Sequence, residues 1–527
     1  MENKLIKKFL SLGFYPGDLP PEFRVSGVSL KGIKAIVRNL NTYDPVTGNS
    51  AKRRKPSVPT ILSGPKTQHS RRWFHVINPL HFVRLSVTIG ENWNTIEGFC
   101  DTSKFSTSRI GLSSKQDEIF SKSPFRDSVV ERIKRSAGKK YQLKLDISKF
   151  YPSIYTHSLE WILEGRRLTP QERRNRSFIG VALDQDCRIS QDGKTNGIVV
   201  GPITSRVISE IVAVHIDEIL TNQGVPLDGI RYVDDYSLYF ESMTDLERIK
   251  TAFQAGLNKI HLSINEAKTQ VKETPEVFEE EWVRIIRRFE LSDKSISQQN
   301  DLVSLFSLGI QFAKKAPNDY CLKYLLTTLT NSDTKLSIAS KNILSWLCVQ
   351  AIQQDPRTLS AAFKLIEKKL KAALFYRRVT KLLSPKLLEA AELGLTYECL
   401  WIMHGFLKAK EVLPAKVVQY FIQQDDILCL TYSLRLSEEN LLRKNDKSAI
   451  VSHIETAVKG DPKPYNSIFW LPLYENEVRG WWKSTVPIHP FFELLKNQKI
   501  DFLMKHKSTW KDIGVSTYPR TEESKGK

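Results

Sequence analysis

Gly229-Ile230-Arg231-Tyr232-Val233-Asp234-Asp235-Tyr236-Ser237-Leu238-Tyr239-Phe240 is the stretch on which the fold turns. Two β-prone, aromatic-rich runs flank a pair of adjacent carboxylates, the pattern of a hairpin with acid at its turn. Asp is also an ordinary turn former, because its side chain bonds nearby backbone groups, so the pair taken alone favours a structural role. A catalytic reading requires another carboxylate in a strand able to converge on the first.

That carboxylate lies eighty-eight positions upstream. In Tyr141-Gln142-Leu143-Lys144-Leu145-Asp146-Ile147-Ser148-Lys149-Phe150-Tyr151, Leu143 and Leu145 alternate with polar residues and deliver Asp146 to the end of a strand. A strand-end Asp is equally an ordinary helix cap. If the strands of Asp146 and Asp234 are neighbours, the two carboxylates can share a pair of Mg²⁺ ions roughly 3.5–4 Å apart, and hard oxygen ligands suit that ion. No His or Cys cluster offers a competing metal site.

Between them, Asn196 to Ser205 leads into an amphipathic helix carrying Ile208, Ile211, Val212, Ile216, Ile219 and Leu220 on one stripe. Gly201 permits close backbone approach at the helix start and Pro202 suits its first turn. His215 falls on the apolar stripe and reads as a core histidine. Asp245 to Leu257 reads as a helix, and Leu262-Ser263-Ile264-Asn265-Glu266-Ala267-Lys268-Thr269 as a turn with strand character. Strand, helix, hairpin, helix, strand is the α+β pattern of an antiparallel sheet with helices on one face.

With these motifs in hand, the chain resembles a reverse transcriptase. Leu145 to Tyr151 resembles that family's first catalytic motif, Gly197 to Ser205 its Gly-containing template and nucleotide motif, Tyr232-Val233-Asp234-Asp235 its catalytic hairpin, and Leu262 to Thr269 its lysine motif. The resemblance implies a right-hand fold of fingers and palm, Mg²⁺ as cofactor, and nucleic acid and dNTPs as partners. Residue by residue, it implies Asp146 and Asp234 as metal ligands, Asp235 as the adjacent supporting acid and a further metal contact, and Ile147 as a metal and substrate contact. It further implies Tyr151 packing under the sugar, Gly201 at the substrate, and Lys268 as a catalytic lysine near the pyrophosphate.

The sequence departs from many reverse transcriptases where Val199-Val200 stands in place of Pro-Gln. That variant, Asp18-Leu19-Pro20-Pro21-Glu22-Phe23 and the helical C-terminal half resemble bacterial abortive-infection, defence-associated reverse transcriptases. The implied function is a DNA polymerase in antiphage defence, template-directed on an RNA or template-free and protein-primed, with a dedicated non-coding RNA and a homo-oligomer among its associations. Tyr518 is a candidate primer hydroxyl. The alternatives are a catalytically idle RNA-binding scaffold and an intron maturase-like enzyme; the latter is disfavoured because no Cys/His nuclease module follows.

The chain has 527 residues, 41% hydrophobic and 26% charged, with a net charge of +20. That is long enough for several domains, and its charge favours a polyanionic partner such as nucleic acid. Six dispersed cysteines without a CxxC pair read as reduced packing residues of a cytoplasmic protein. No signal peptide or membrane span is expected. Residues 1–125 read as an irregular N-terminal and fingers region, 126–290 as the palm, 291–510 as an all-α domain with repeat-like character but no strict period, and 511–527 as a flexible tail. Lys52-Arg53-Arg54-Lys55 is either a solvated loop or a phosphate patch, and Arg71-Arg72-Trp73-Phe74-His75 suits phosphate contact and base stacking. Arg166, Arg167, Arg173, Arg174 and Arg176 mark a loop or a strand-binding surface. Ser384-Pro385 and Leu413-Pro414 read as helix starts.

Overall fold

The computed structural model describes residues 2–46, 54–67, 70–121, 125–222 and 228–504. Tyr518, the segment 511–527, Lys52 and Arg53 lie outside the described residues.

The acidic hairpin belongs to a four-stranded antiparallel sheet of order β4-β5-β3-β6. Its strands are β3 (Tyr141–Asp146), β4 (Asp228–Tyr232), β5 (Asp235–Phe240) and β6 (Gln270–Glu273). Leu143, Leu145, Tyr236, Leu238 and Phe240 are buried, as the alternating pattern predicts. The helices Ile203–Asn222 and Met243–Lys259 pack together against the sheet. The Tyr236 hydroxyl reaches the first helix, and the Tyr236 ring sits edge-to-face on Phe253 of the second at 5.1 Å. The expected mixed architecture with helices beside an antiparallel sheet is thus present.

The first 125 residues are not an irregular lead-in. They hold the helices Glu2–Leu12, Leu30–Tyr43, Pro79–Glu91 and Trp93–Asp101 and a two-stranded hairpin of β1 (Thr60–Pro65) and β2 (Arg71–Val76). The Pro-rich segment after residue 15 is buried at Leu19, Glu22 and Phe23. Its partners are far away in sequence: Trp401 Nε1 donates to the Asp18 carbonyl at 2.8 Å, and Ser26 pairs with Asp501.

Beyond residue 295 the chain is helical, in two layers. One contains Ser295–Lys315, Ile338–Gln354, Ala373–Glu392, Ala415–Gln423 and Lys444–Val458. The other contains Cys321–Asn331, Leu359–Leu365, Thr396–Ala409, Ile427–Ser437 and Trp470–Arg479. Each helix packs on the helix two along, in its own layer, which is how stacked helical hairpins bury a continuous core. The helix Thr396–Ala409 is buried almost all round because β1 and the segment 18–22 cover its outer side. Pro414 caps a helix as expected, but Pro385 lies inside Ala373–Glu392 and not at its start. Packing of Leu383, Leu387 and Ala390 holds that helix together across the lost backbone bond.

All six cysteines are free and buried. Among the described residues, no helix is long and apolar enough to cross a membrane.

Candidate functional site

The turn between β4 and β5 is a two-residue loop, Val233-Asp234, closed by the pair Tyr232 and Asp235. Val233 sits at φ 58°, a left-handed conformation that a β-branched side chain resists, at a cost on the order of 1–3 kcal/mol. Two bonds hold it there: its N–H donates to Ser108 Oγ at 3.0 Å, and its carbonyl accepts Arg231 Nη1 at 2.9 Å.

Arg231 is fully buried and is the hub of a charge network below the turn. It donates to Asp217 at 2.7 Å and to Glu210 at 3.0 Å, both on the helix Ile203–Asn222. Ser103 and Tyr236 also donate to Asp217, at 2.6 and 2.8 Å, and Ser106 donates to Glu210 at 2.7 Å. Burial would raise the Glu210 carboxyl, but Arg231 and Arg206 hold it below its usual range. Sequence reasoning missed this support. Its signal is two acids seven positions apart on the otherwise apolar stripe, one face of a helix.

The β3–β5 register places Asp146 directly opposite Asp235, with Asp234 next along the turn. Asp146 Oδ1 pairs with Lys268 Nζ at 3.0 Å, and its Oδ2 accepts Asn265 Nδ2 at 2.8 Å. Asn265 also donates its backbone N–H to the Asp146 carbonyl, so the Leu262–Thr269 turn is tied to the end of β3. Asn265 lies within the lysine motif, and the resemblance implies no role for it. Asp235 is exposed at the turn, yet its carboxyl faces Asp146. Local burial, the hydrogen bond to Asp146 and the charges of Asp234 and Asp146 push it up to about 7. Asp234 is also raised, by burial first and the Asp146 charge second, while Lys268 and Arg72 oppose the shift.

Ile147 turns its side chain into the core. It pairs with Ile264 in a bridge whose hydrogen bonds are made by the residues on either side, Asp146 and Ser148. Its own carbonyl therefore points to the other edge, toward the Asp234 turn. Tyr151 accepts a hydrogen bond from Ser209 Oγ at 2.9 Å, and burial raises its hydroxyl pKa, with the Asp234 charge contributing. Gly201, at φ 129°, is packed tightly: a Cβ there would meet Pro16 at 2.8 Å and the His75 carbonyl at 3.2 Å. Its neighbour Val200 exchanges two bonds with His75 of β2, at 2.7 and 3.2 Å. The structure thus brings Asp146, Asp234, Asp235 and Lys268 together, sets Tyr151 beside them, and places Gly201 against the β1–β2 hairpin.

Other expectations resolve differently. Arg54 is no phosphate contact, being bonded to Asp44 and Asp186. Arg71 is paired with Glu398, while Arg72 is exposed and close enough to Asp234 for its charge to act there. Trp73 is exposed. Arg166, Arg173 and Arg176 form ion pairs with Glu172, Glu160 and Asp186, and Arg167 covers Trp161. His215 is part-buried near Glu218.

Residues 98–298, which carry this turn and every strand of its sheet, match the family described as reverse transcriptase (RNA-dependent DNA polymerase). They are a reverse transcriptase domain. No curated protein matches the chain. The reverse transcriptase domain covers less than half of the 527 residues, and the two-layered helical region lies almost wholly beyond it. Within the domain no group of three or more His, Cys, Asp or Glu side chains forms a ready-made metal cluster among the described residues. The donor set nevertheless suits a hard divalent cation: Asp146 and Asp235 oppose each other, and the carboxyls of Asp234 and Asp235 are raised by burial and mutual repulsion.

Proposed function

We propose that the protein is a DNA polymerase of the reverse transcriptase type, extending a primer with dNTPs at the Asp146, Asp234 and Asp235 carboxylates. The observation that carries this reading is the register that sets Asp146 against Asp235, with Lys268 on the Asp146 carboxylate. Asp146, Asp234 and the Ile147 carbonyl would hold Mg²⁺. When bound, Mg²⁺ supplies charge neutralisation of the triphosphate and acidification of the attacking hydroxyl. Lys268, released from Asp146, donates a proton or a hydrogen bond to the departing pyrophosphate. Arg72, close enough to Asp234 for its charge to act there, binds the triphosphate. Tyr151 lies under the sugar, with Ser209 fixing its hydroxyl. Gly201 lets backbone approach the incoming nucleotide closely.

Purified protein given Mg²⁺ and labelled dNTPs, with and without an RNA template and primer, is expected to make polymer, and Asp234→Asn is expected to make none. Polymer from the variant would remove Asp234 from the reaction. Comparing the two template conditions separates RNA-directed from template-free synthesis, and protein-bound product in wild type but not in Tyr518→Phe would identify the primer.

We further propose a role in antiphage defence, supported by the resemblance at Val199-Val200, at residues 18–23 and in the helical region. Sequencing copurified nucleic acid tests the partner RNA, and light scattering tests the homo-oligomer. Phage plating on cells expressing wild type or the Asp234→Asn, Asp235→Asn variant decides between enzyme and scaffold. Protection by the variant would favour the scaffold.

A further inference from the structure

A cavity of about 1040 Å³ opens between the helix Pro79–Glu91 and the end of the helix Lys444–Val458, and none of the carboxylate-site residues lines it. Of its acids, Asp44 is paired with cations, while Glu455 and Asp461 accept hydrogen bonds from neutral donors. Asp44 is held by Arg54 and Arg84 at 2.6 and 3.3 Å. Glu455 accepts Trp482 Nε1 at 2.7 Å and Thr485 Oγ1 at 2.5 Å, and Asp461 accepts the Lys463 N–H at 2.8 Å. Of the cations in the same wall, Arg54 is paired with Asp44 and Asp186, whereas Lys55 and Lys463 make no ion pair among the described residues. Lys55, Lys463 and His489 all line this space, and burial together with the Lys55 charge lowers the Lys463 pKa, as burial together with the Lys463 charge lowers that of His489. His489 Nδ1 accepts the Phe491 N–H at 3.2 Å, which puts the hydrogen of the neutral ring on Nε2, as a donor. Beside them the wall is apolar: Val486, Ile488 and Tyr43, whose ring is fixed edge-to-face on Phe491 at 6.0 Å.

We propose that this cavity binds a nucleoside polyphosphate, with the phosphates on Lys55, Lys463 and His489 and the nucleoside against Tyr43, Val486 and Ile488. The volume suits a ligand of that size and far exceeds a phosphate group. Cations that line one cavity recognise a polyanion, and the apolar wall beside them recognises a flat ring. The ligand is either a free nucleotide or the 5′-triphosphate end of a strand. The proposal does not depend on polymerase activity.

The test is equilibrium dialysis of the full chain in EDTA, which suppresses metal-dependent binding at the carboxylates. The probes are ATP, inorganic triphosphate and a 5′-triphosphorylated tetraribonucleotide. Wild type is expected to bind ATP or the tetranucleotide at least tenfold more tightly than triphosphate. Lys55→Ser, Lys463→Ser should weaken this tenfold or more at an unchanged melting temperature, and Arg72→Ser should leave it intact. A tenfold preference for the tetranucleotide over ATP assigns the strand end, and the reverse assigns the free nucleotide. Lys55→Ser alone, at an exposed position, carries the test if the double variant does not fold. Equal binding by wild type and variant, triphosphate binding as tightly as both other probes, or no binding of any probe would each overturn the proposal.

Discussion

Tyr151 is fixed at three points before any substrate arrives. Its carbonyl accepts the Ile198 N–H at 2.9 Å, its hydroxyl accepts Ser209 Oγ at 2.9 Å, and its ring meets Phe150 edge-to-face at 5.8 Å. A ring held this way can reject a bulkier sugar by shape, because it cannot step aside. Tyr151→Ala is therefore expected to lower the dNTP-over-rNTP ratio of kcat/KM by about tenfold or more, while Tyr151→Phe, which keeps the ring, holds it. Unchanged selectivity in the alanine variant would move the ring away from the sugar. Lys268 makes a second residue-scale case. Lys268→Met should slow turnover by roughly a hundredfold, the usual size of a lost proton donor, with little effect on folding since the side chain is half exposed. Single-turnover rates across pH distinguish this from weaker dNTP binding, which would raise KM and leave the rate at saturation alone.

The hairpin was legible because its information is local: alternation of period two, aromatic flanks and an acidic tip all lie within a dozen residues of Gly229. What holds the tip was not. Nothing next to Arg231 in the chain points to its partners: its acids lie fourteen and twenty-one positions earlier, on a helix, and all three are buried. Removing the cation strands two carboxylates in the core, so Arg231→Met is expected to cost about 3–5 kcal/mol in urea denaturation. Adding Glu210→Gln and Asp217→Asn should recover part of that loss by removing the uncompensated charge. If the single variant is as stable as wild type, the network does not support the turn. Pro385 failed as a helix start for a related reason. Local propensity forbids proline within a helix, but the buried face of Leu383, Leu387 and Ala390 outweighs it.

At the scale of the whole chain, two buried groups should be released by acid: Glu22, which ties the N-terminal segment to the helical region, and His81, which is bonded within the N-terminal region. Neither His81 nor Glu22 announces this in sequence, since His81 meets Ser57 and Glu22 meets His404, 382 positions on. The His81 pKa is lowered to about 4, by burial first. The folded state therefore binds fewer protons than the unfolded state between about pH 6.5 and 4, and the contribution of neutral His81 is complete above that window and lost as pH falls through it. Burial alone would raise Glu22, but the His404 ring beside it holds the carboxyl at about 2, so its contribution is complete above about pH 4.5 and lost toward pH 2. Each shift corresponds to about 3 kcal/mol. Urea midpoints followed from pH 8 to pH 3 should carry a fall through the histidine window and a second fall below pH 4.5, the first offset in part by Asp235, whose carboxyl, raised to about 7, gains stability as pH drops from 7 toward 4. His75, His215 and His489 are lowered as well and deepen the first fall. His81→Gln is expected to remove about 3 kcal/mol of it, and Glu22→Gln to flatten the second fall while leaving the first in place. A His81→Gln profile parallel to wild type between pH 6.5 and 4 would show that this histidine does not couple protonation to folding.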